Sequence, residues 1–138
     1  MEITNFGQAL QLALKVEDAA IEAYDQAAQN ANDEALKSLF AEFYESNQKR
    51  RKTIQAMYDE NVDSDMYSGI LAPIKPMDGS KYLAESATPE DLEQMAEVFY
   101  KDFLTRLDAS PRSVVRRIRK MSEENAMRQV KLKDQPAS

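Results

Sequence analysis

From position 3 to position 27 the residues Ile3, Phe6, Leu10, Ala13, Glu17, Ala20, Tyr24 and Ala27 succeed one another at intervals of three and four. That is the period of a helix with one buried stripe. Leu14 and Ile21 widen the stripe. A second run, Leu36, Phe40, Phe43, Asn47, Arg50, Ile54 and Met57, repeats the spacing after the short polar turn "NAND". A striped helix cannot bury its apolar face alone, so two of them in succession predict an antiparallel hairpin. The breaks in the stripes matter as much as the stripes. Glu17, Asn47 and Arg50 stand where the core should be driest.

The rest of the chain repeats this organisation. The spacing predicts helices over about 3–29, 33–60, 88–108 and 111–132, with Asn32 or Asp33 capping the second. "TPED" opens the third with Thr88 as N-cap, Pro89 in the first turn and Asp91 closing a capping box. Ser110 is the expected cap of the fourth, with Pro111 inside its first turn. The tail "KDQPAS" is expected to fray. Only 3 Gly and 5 Pro occur in 138 residues, a composition that favours helix. Two of those glycines and two of those prolines fall in the stretch 61–87, too long for an ordinary loop of a compact domain. A single domain over 1–138 accommodates it as a crossover along the side of a four-helix bundle, joining two antiparallel hairpins in up-down-down-up order. Ile70, Leu71, Ile74, Tyr82 and Leu83 are the expected anchors. No local repeat stands out, although the two helix pairs are compatible with a diverged duplication.

Composition removes several chemistries. With no Cys there is no disulfide, thiolate metal site or Cys nucleophile. With no His the usual general base and the commonest metal ligand are missing. A metal would need oxygen ligands or a Met sulfur. Apolar runs are too short to span a bilayer, and "MEITNFGQAL" has no signal-peptide pattern, so a cytoplasmic location is expected. The net charge of −6 opposes general affinity for nucleic acid. Two basic clusters, "KRRK" at 49–52 and "RSVVRRIRK" at 112–120, run against that balance. They read first as solvated helix faces. Arg112, Arg116, Arg117 and Arg119 form a candidate anion patch, but no stacking aromatics interleave them, and nucleic acid is not the expected partner.

The polar interruptions share a height. The first turn centres near position 31, so Glu17 lies 14 residues before it and Asn47 lies 16 after. At about 1.5 Å per residue these two differ by roughly 3 Å along the bundle. On the same reckoning about the second turn, Glu97 on the third helix and Glu124 on the fourth reach that level. Helix 3 is apolar nearly all round, which leaves its register open: Glu93, one turn away, competes with Glu97.

Bundles of this kind build carboxylate-bridged di-metal sites at mid-height, from a Glu on each of two helices and a Glu-x-x-His pair on each of the others. "VEDAAIEAY", with Glu17 seven residues before Tyr24, resembles the first ligand helix of the ferritin-like superfamily and of its rubrerythrin-like members. "ALKSLFAEFYESNQKRR" is similar to their second helix, and "PMDGSKYL" to the crossover preceding the third. The resemblance spans roughly positions 6 to 130 and implies a homodimer. It makes Glu17, Asn47, Arg50, Glu97, Glu124 and Met127 the ancestral metal-site positions. Asn47 and Arg50 replace Glu-x-x-His on helix 2, and Glu124 and Met127 replace it on helix 4. Arg does not give up its proton and cannot ligate. The expectation is a bundle that has lost its di-iron centre, carries no cofactor and serves as a structural, regulatory or interaction module. In it Arg50 pairs with the carboxylates Glu17, Glu97 or Glu124. Two other readings remain. Helix drift could turn Arg50 to the seam edge, with its head in water. Alternatively, Glu17, Glu97 and Glu124 could retain iron or manganese in a rubrerythrin-like peroxidase or ferroxidase.

Overall fold

The structure is a computed structural model and describes residues 2–62, 69–83, 88–107 and 110–134. Four helices, α1 (Phe6–Asn30), α2 (Glu34–Glu60), α3 (Pro89–Leu104) and α4 (Arg112–Lys133), dominate it. The expected all-α bundle is present. Asp33 caps α2, accepting a hydrogen bond from the Ala35 amide. Thr88 and Asp91 form the predicted capping box on α3, satisfying amides that the first turn leaves without carbonyl partners.

Several boundaries moved. Ile3 carries the helical spacing but lies in a strand, β1 (Glu2–Asn5), and Asn5 caps α1 by accepting from the Gln8 amide. β1 pairs antiparallel with β2 (Pro73–Asp78) inside the crossover, with Ile3 opposite Met77. Both of those side chains are buried. A strand start costs the stripe nothing here, because Ile3 points into the same core either way. α3 ends at Leu104 instead of near 108, and Leu107 still enters the core beyond it. At the start of α4 the cap position is Pro111, with no side-chain cap bond, so the role expected of Ser110 is not filled. The Pro111 carbonyl instead accepts from the Val114 and Val115 amides. The tail residues 135–138 lie outside the described residues.

The crossover is fastened at three places. Gly69 adopts a left-handed φ of 63° as the chain arrives at α1. There it passes so close that a Cβ on Gly7 would sit 2.7 Å from the Ile70 Cβ. Midway along β2, Arg106 donates to the carbonyls of Lys75 (2.7 Å) and Pro76 (3.0 Å) and pairs with Asp102. Asp102 also accepts from the Tyr82 hydroxyl. Burial works to raise the Asp102 carboxyl, but these two donors outweigh it and hold the group below the usual range. Of the expected anchors, Tyr82 is buried against Phe99, with ring centroids 5.1 Å apart. Ile74 and Leu83 pack on the core from its edge, while Leu71 is half exposed.

Contacts between helices give their relative placement. On α1 and α2, Asp18 meets Arg51, and Gln11 meets Tyr58. Between α1 and α3, Tyr24 meets Glu93 and Glu17 meets Tyr100. Between α2 and α4, Arg50 meets Asn125 and Glu42 meets Lys131. The apolar core divides in two. One part gathers Phe6, Leu10, Ile54, Phe99, Phe103 and Ile118 next to the sheet. The other gathers Ala20, Tyr24, Phe40, Phe43 and Leu132. Between them lies a layer of buried polar side chains.

Candidate functional site

That layer consists of Glu17, Asn47, Arg50, Glu93, Ser122, Asn125 and Arg128, each at most 5 % exposed. α1 contributes Glu17 because the stripe through Ala13 and Ala20 aims that position inward, and α2 contributes Asn47 and Arg50 from its own stripe. The bland reading of Arg50, a head reaching water from the seam edge, does not hold. The residue is 5 % exposed and its guanidinium is held from several sides. Nη1 donates to Asn125 Oδ1 at 2.8 Å and lies 3.6 Å from Glu17 Oε2. Nη2 reaches the Met121 carbonyl at 3.4 Å and Glu124 at 3.6 Å, and the group lies 5.6 Å from the centre of the Tyr100 ring. Burial works to lower its pKa, but Glu17 and the other anionic neighbours outweigh it, so the charge is held more firmly than in water.

The third and fourth helices differ from expectation. Glu93, 1 % exposed, is the inward carboxylate of α3. Glu97 turns to the rim, where it pairs with Lys101 at 3.1 Å and accepts from Gln129. On α4 the inward pair is Asn125 and Arg128. Glu124 is 37 % exposed at its side chain and sits at the edge of the layer, and Met127 is 64 % exposed. One residue along a helix is about 100° of rotation, so a position can share the right height and face the wrong way.

Arg128 is tied as thoroughly as Arg50. It donates to Asn47 and Ser46, lies 3.4 Å from Glu93 and 3.9 Å from Glu124, and stacks 5.2 Å from the Phe43 ring centre. The two tyrosines close the network crosswise. Tyr24 of α1 donates to Glu93 of α3, and Tyr100 of α3 donates to Glu17 of α1 at 2.7 Å. Burial first, and the adjacent carboxylate second, push both phenols well above their ordinary value, so both remain donors.

A pattern now emerges that was present in the sequence. Glu17 precedes Tyr24 by seven residues, and Glu93 precedes Tyr100 by seven. Asn47 precedes Arg50 by three, and Asn125 precedes Arg128 by three. Each hairpin therefore supplies Glu-x6-Tyr on its first helix and Asn-x-x-Arg on its second. Glu93, Asn125, Arg128 and the tyrosines' role in the layer could have been found by this repeat. Matching on height alone led to Glu97, Glu124 and Met127.

The donor chemistry does not suit a metal pair. Two guanidiniums, which stay charged at any relevant pH, face the two buried carboxylates and already use them. Among the described residues, no three acidic, His or Cys side chains gather in a way that could hold an ion. As for the anion patch, Arg112, Arg116, Arg117 and Arg119 are all exposed, and Arg117 lines a cavity between α2 and α4. No helix of the described chain is long and apolar enough to cross a membrane. Comparison with protein-family models, with curated proteins and with solved structures returned no match.

Proposed function

We propose that this chain is a ferritin-like, rubrerythrin-related bundle in which two arginines have taken the place of two metal ions, and that it now serves as a structural, regulatory or interaction module. One observation carries the reading: the paired Glu-x6-Tyr and Asn-x-x-Arg segments, which meet in a single buried layer. A di-metal bundle places a Glu on each of two helices and a Glu-x-x-His pair on the other two. Here the two Glu positions are kept, and both i, i+3 pairs read Asn and Arg. Two arginine cations balance the two retained carboxylates, as two divalent ions balance the four carboxylates of the metal arrangement. The helix contacts support up-down-down-up order, since α1 meets α2 and α3 in opposing directions, as α4 meets α2. A homodimer belongs to the same proposal, with Met127 and Val130 exposed on α4 as available apolar surface. Sedimentation equilibrium tests that part.

Elemental analysis tests the centre. Protein purified without chelators and then offered Fe(II) or Mn(II) is expected to hold neither stoichiometrically, and two ions per chain would sink the reading. The constructive test restores both pairs, with Asn47→Glu, Arg50→His, Asn125→Glu and Arg128→His in one chain. That variant is expected to gain two iron ions. If it folds and binds none, the ancestry from a metal centre is wrong.

A further inference from the structure

The same layer borders a cavity through Arg50. Between α2 and α4 is a half-open cavity of ≈ 310 Å³. Lys49 and Arg50 line it from α2, Arg117 and Lys120 from α4, and the side chains of Ser46 and Thr53 add two hydroxyl-bearing residues. Four cations converge there in a chain of net charge −6. Lys49, Arg117 and Lys120 have no carboxylate within ion-pair distance among the described residues, whereas Arg51, on the opposite side of α2, is paired with Asp18.

Glu124 is the one acid in the cavity, and its geometry is informative. Its carboxylate lies 3.6 Å from Arg50 and 3.9 Å from Arg128, beyond hydrogen-bond length, and the side chain is 37 % exposed. It sits over two buried guanidiniums without closing a hydrogen bond on either. An anion from solvent would find its charge partners already in place: the buried Arg50, held by Asn125 and the Met121 carbonyl, and the exposed cations Lys49, Arg117 and Lys120. Guanidinium and ammonium groups with nearby hydroxyls are the donor set that oxyanions, phosphate above all, require.

We propose that this cavity is a binding site for a doubly charged phosphate group, free or esterified to a small molecule, with Arg50 as its buried anchor and Glu124 as an internal competitor. Displacement of Glu124 by phosphate would link the cavity to the buried layer, because Arg50 and Arg128 share that carboxylate. The proposal stands on this cavity and does not depend on the ancestry of the bundle.

Calorimetric titration of the full chain with inorganic phosphate, at fixed ionic strength in chloride, tests it. One saturable site is expected. Arg117→Glu with Lys120→Glu, both exposed positions, should weaken binding by at least about tenfold, because charge at a half-enclosed site is poorly screened. Arg116→Glu with Arg119→Glu carries the same charge change on the same helix outside the cavity, and should alter affinity far less. Glu124→Gln should tighten binding, and Glu123→Gln, its exposed neighbour, should not. Phenyl phosphate run in parallel identifies the source: tighter binding than inorganic phosphate indicates an esterified ligand, and equal or weaker binding indicates the free ion. The proposal is overturned by lack of saturation, by equal losses in the two double variants, or by a Glu124→Gln chain that binds no better than Glu123→Gln.

Discussion

The two halves of the buried layer are built from the same residues and are not equally satisfied. Glu93 accepts from the Tyr24 hydroxyl and the Asn125 amide and lies 3.4 Å from Arg128. Glu17 accepts from Tyr100 and lies 3.6 Å from Arg50, but its Oε1 is buried with no hydrogen-bond partner among the described residues. The difference traces to the two asparagines. Asn125 accepts from Arg50 and donates to Glu93, whereas Asn47 accepts from Arg128 and makes no bond to Glu17. One missing amide leaves a carboxylate half-solvated by protein. Burial accordingly raises the Glu17 carboxyl above its ordinary value of 4.5, against the pull of Arg50 and Tyr100. A near-symmetric site can thus hold one carboxylate with donors on both of its oxygens and one whose charged form burial disfavours.

The largest effects should come from removing a cation. Arg128→Met strands Glu93 and Asn47 together and is expected to cost about 3–5 kcal/mol in urea melts at neutral pH. Arg50→Met should fall toward the lower end, about 3 kcal/mol, because Glu17 can escape by protonation. Lowering the pH should therefore rescue Arg50→Met more than Arg128→Met. Equal rescue would break the distinction between the halves.

Neutralising the acids sharpens it at smaller scale. Glu93→Gln weakens charge-assisted bonds from Tyr24 and Asn125 and should cost roughly 1–3 kcal/mol. Glu17→Gln leaves the buried Arg50 with Glu124, at 3.6 Å, but also removes a carboxylate with one unsatisfied oxygen, so its cost should lie at the lower end of that range, about 1 kcal/mol at neutral pH. An equal or larger loss for Glu17→Gln would mean the orphaned oxygen is not a liability.

The smallest effect is a slope. A carboxyl raised in the folded state binds its proton more tightly there than in the unfolded chain. The stability it contributes is complete below the ordinary value of 4.5 and is lost as pH rises through the folded value. Lowered carboxyls such as Asp102 act in the opposite sense, so melts in steps from acid to neutral pH should show the parent chain losing stability relative to Glu17→Gln. Parallel curves for the parent chain and Glu17→Gln over that interval would contradict the assignment.

Much of this was legible in the residues. The three-four stripes define α1 and α2 and place Glu17, Asn47 and Arg50 inside, because a helix with one apolar face has only one way to bury it. Thr88, Pro89 and Asp91 mark the start of α3 for the same local reason. β1 was not legible, since Ile3 fits a helix stripe as well as a strand, and only the approach of residues 73–78 supplies the partner that makes it a strand. Nor was the facing of α3 and α4. Apolar residues surround α3, so Glu93 and Glu97 compete until α1 packs against one side and presents Tyr24. On α4, Glu124 and Asn125 differ by only about 1.5 Å in height yet by about 100° in direction. Height follows from chain length and the turns; direction follows from which neighbours pack where. The sequence by itself therefore determined that four helices carry a polar layer at mid-height. The tertiary structure alone decided which side chains enter it, because that choice depends on contacts between helices far apart in the chain.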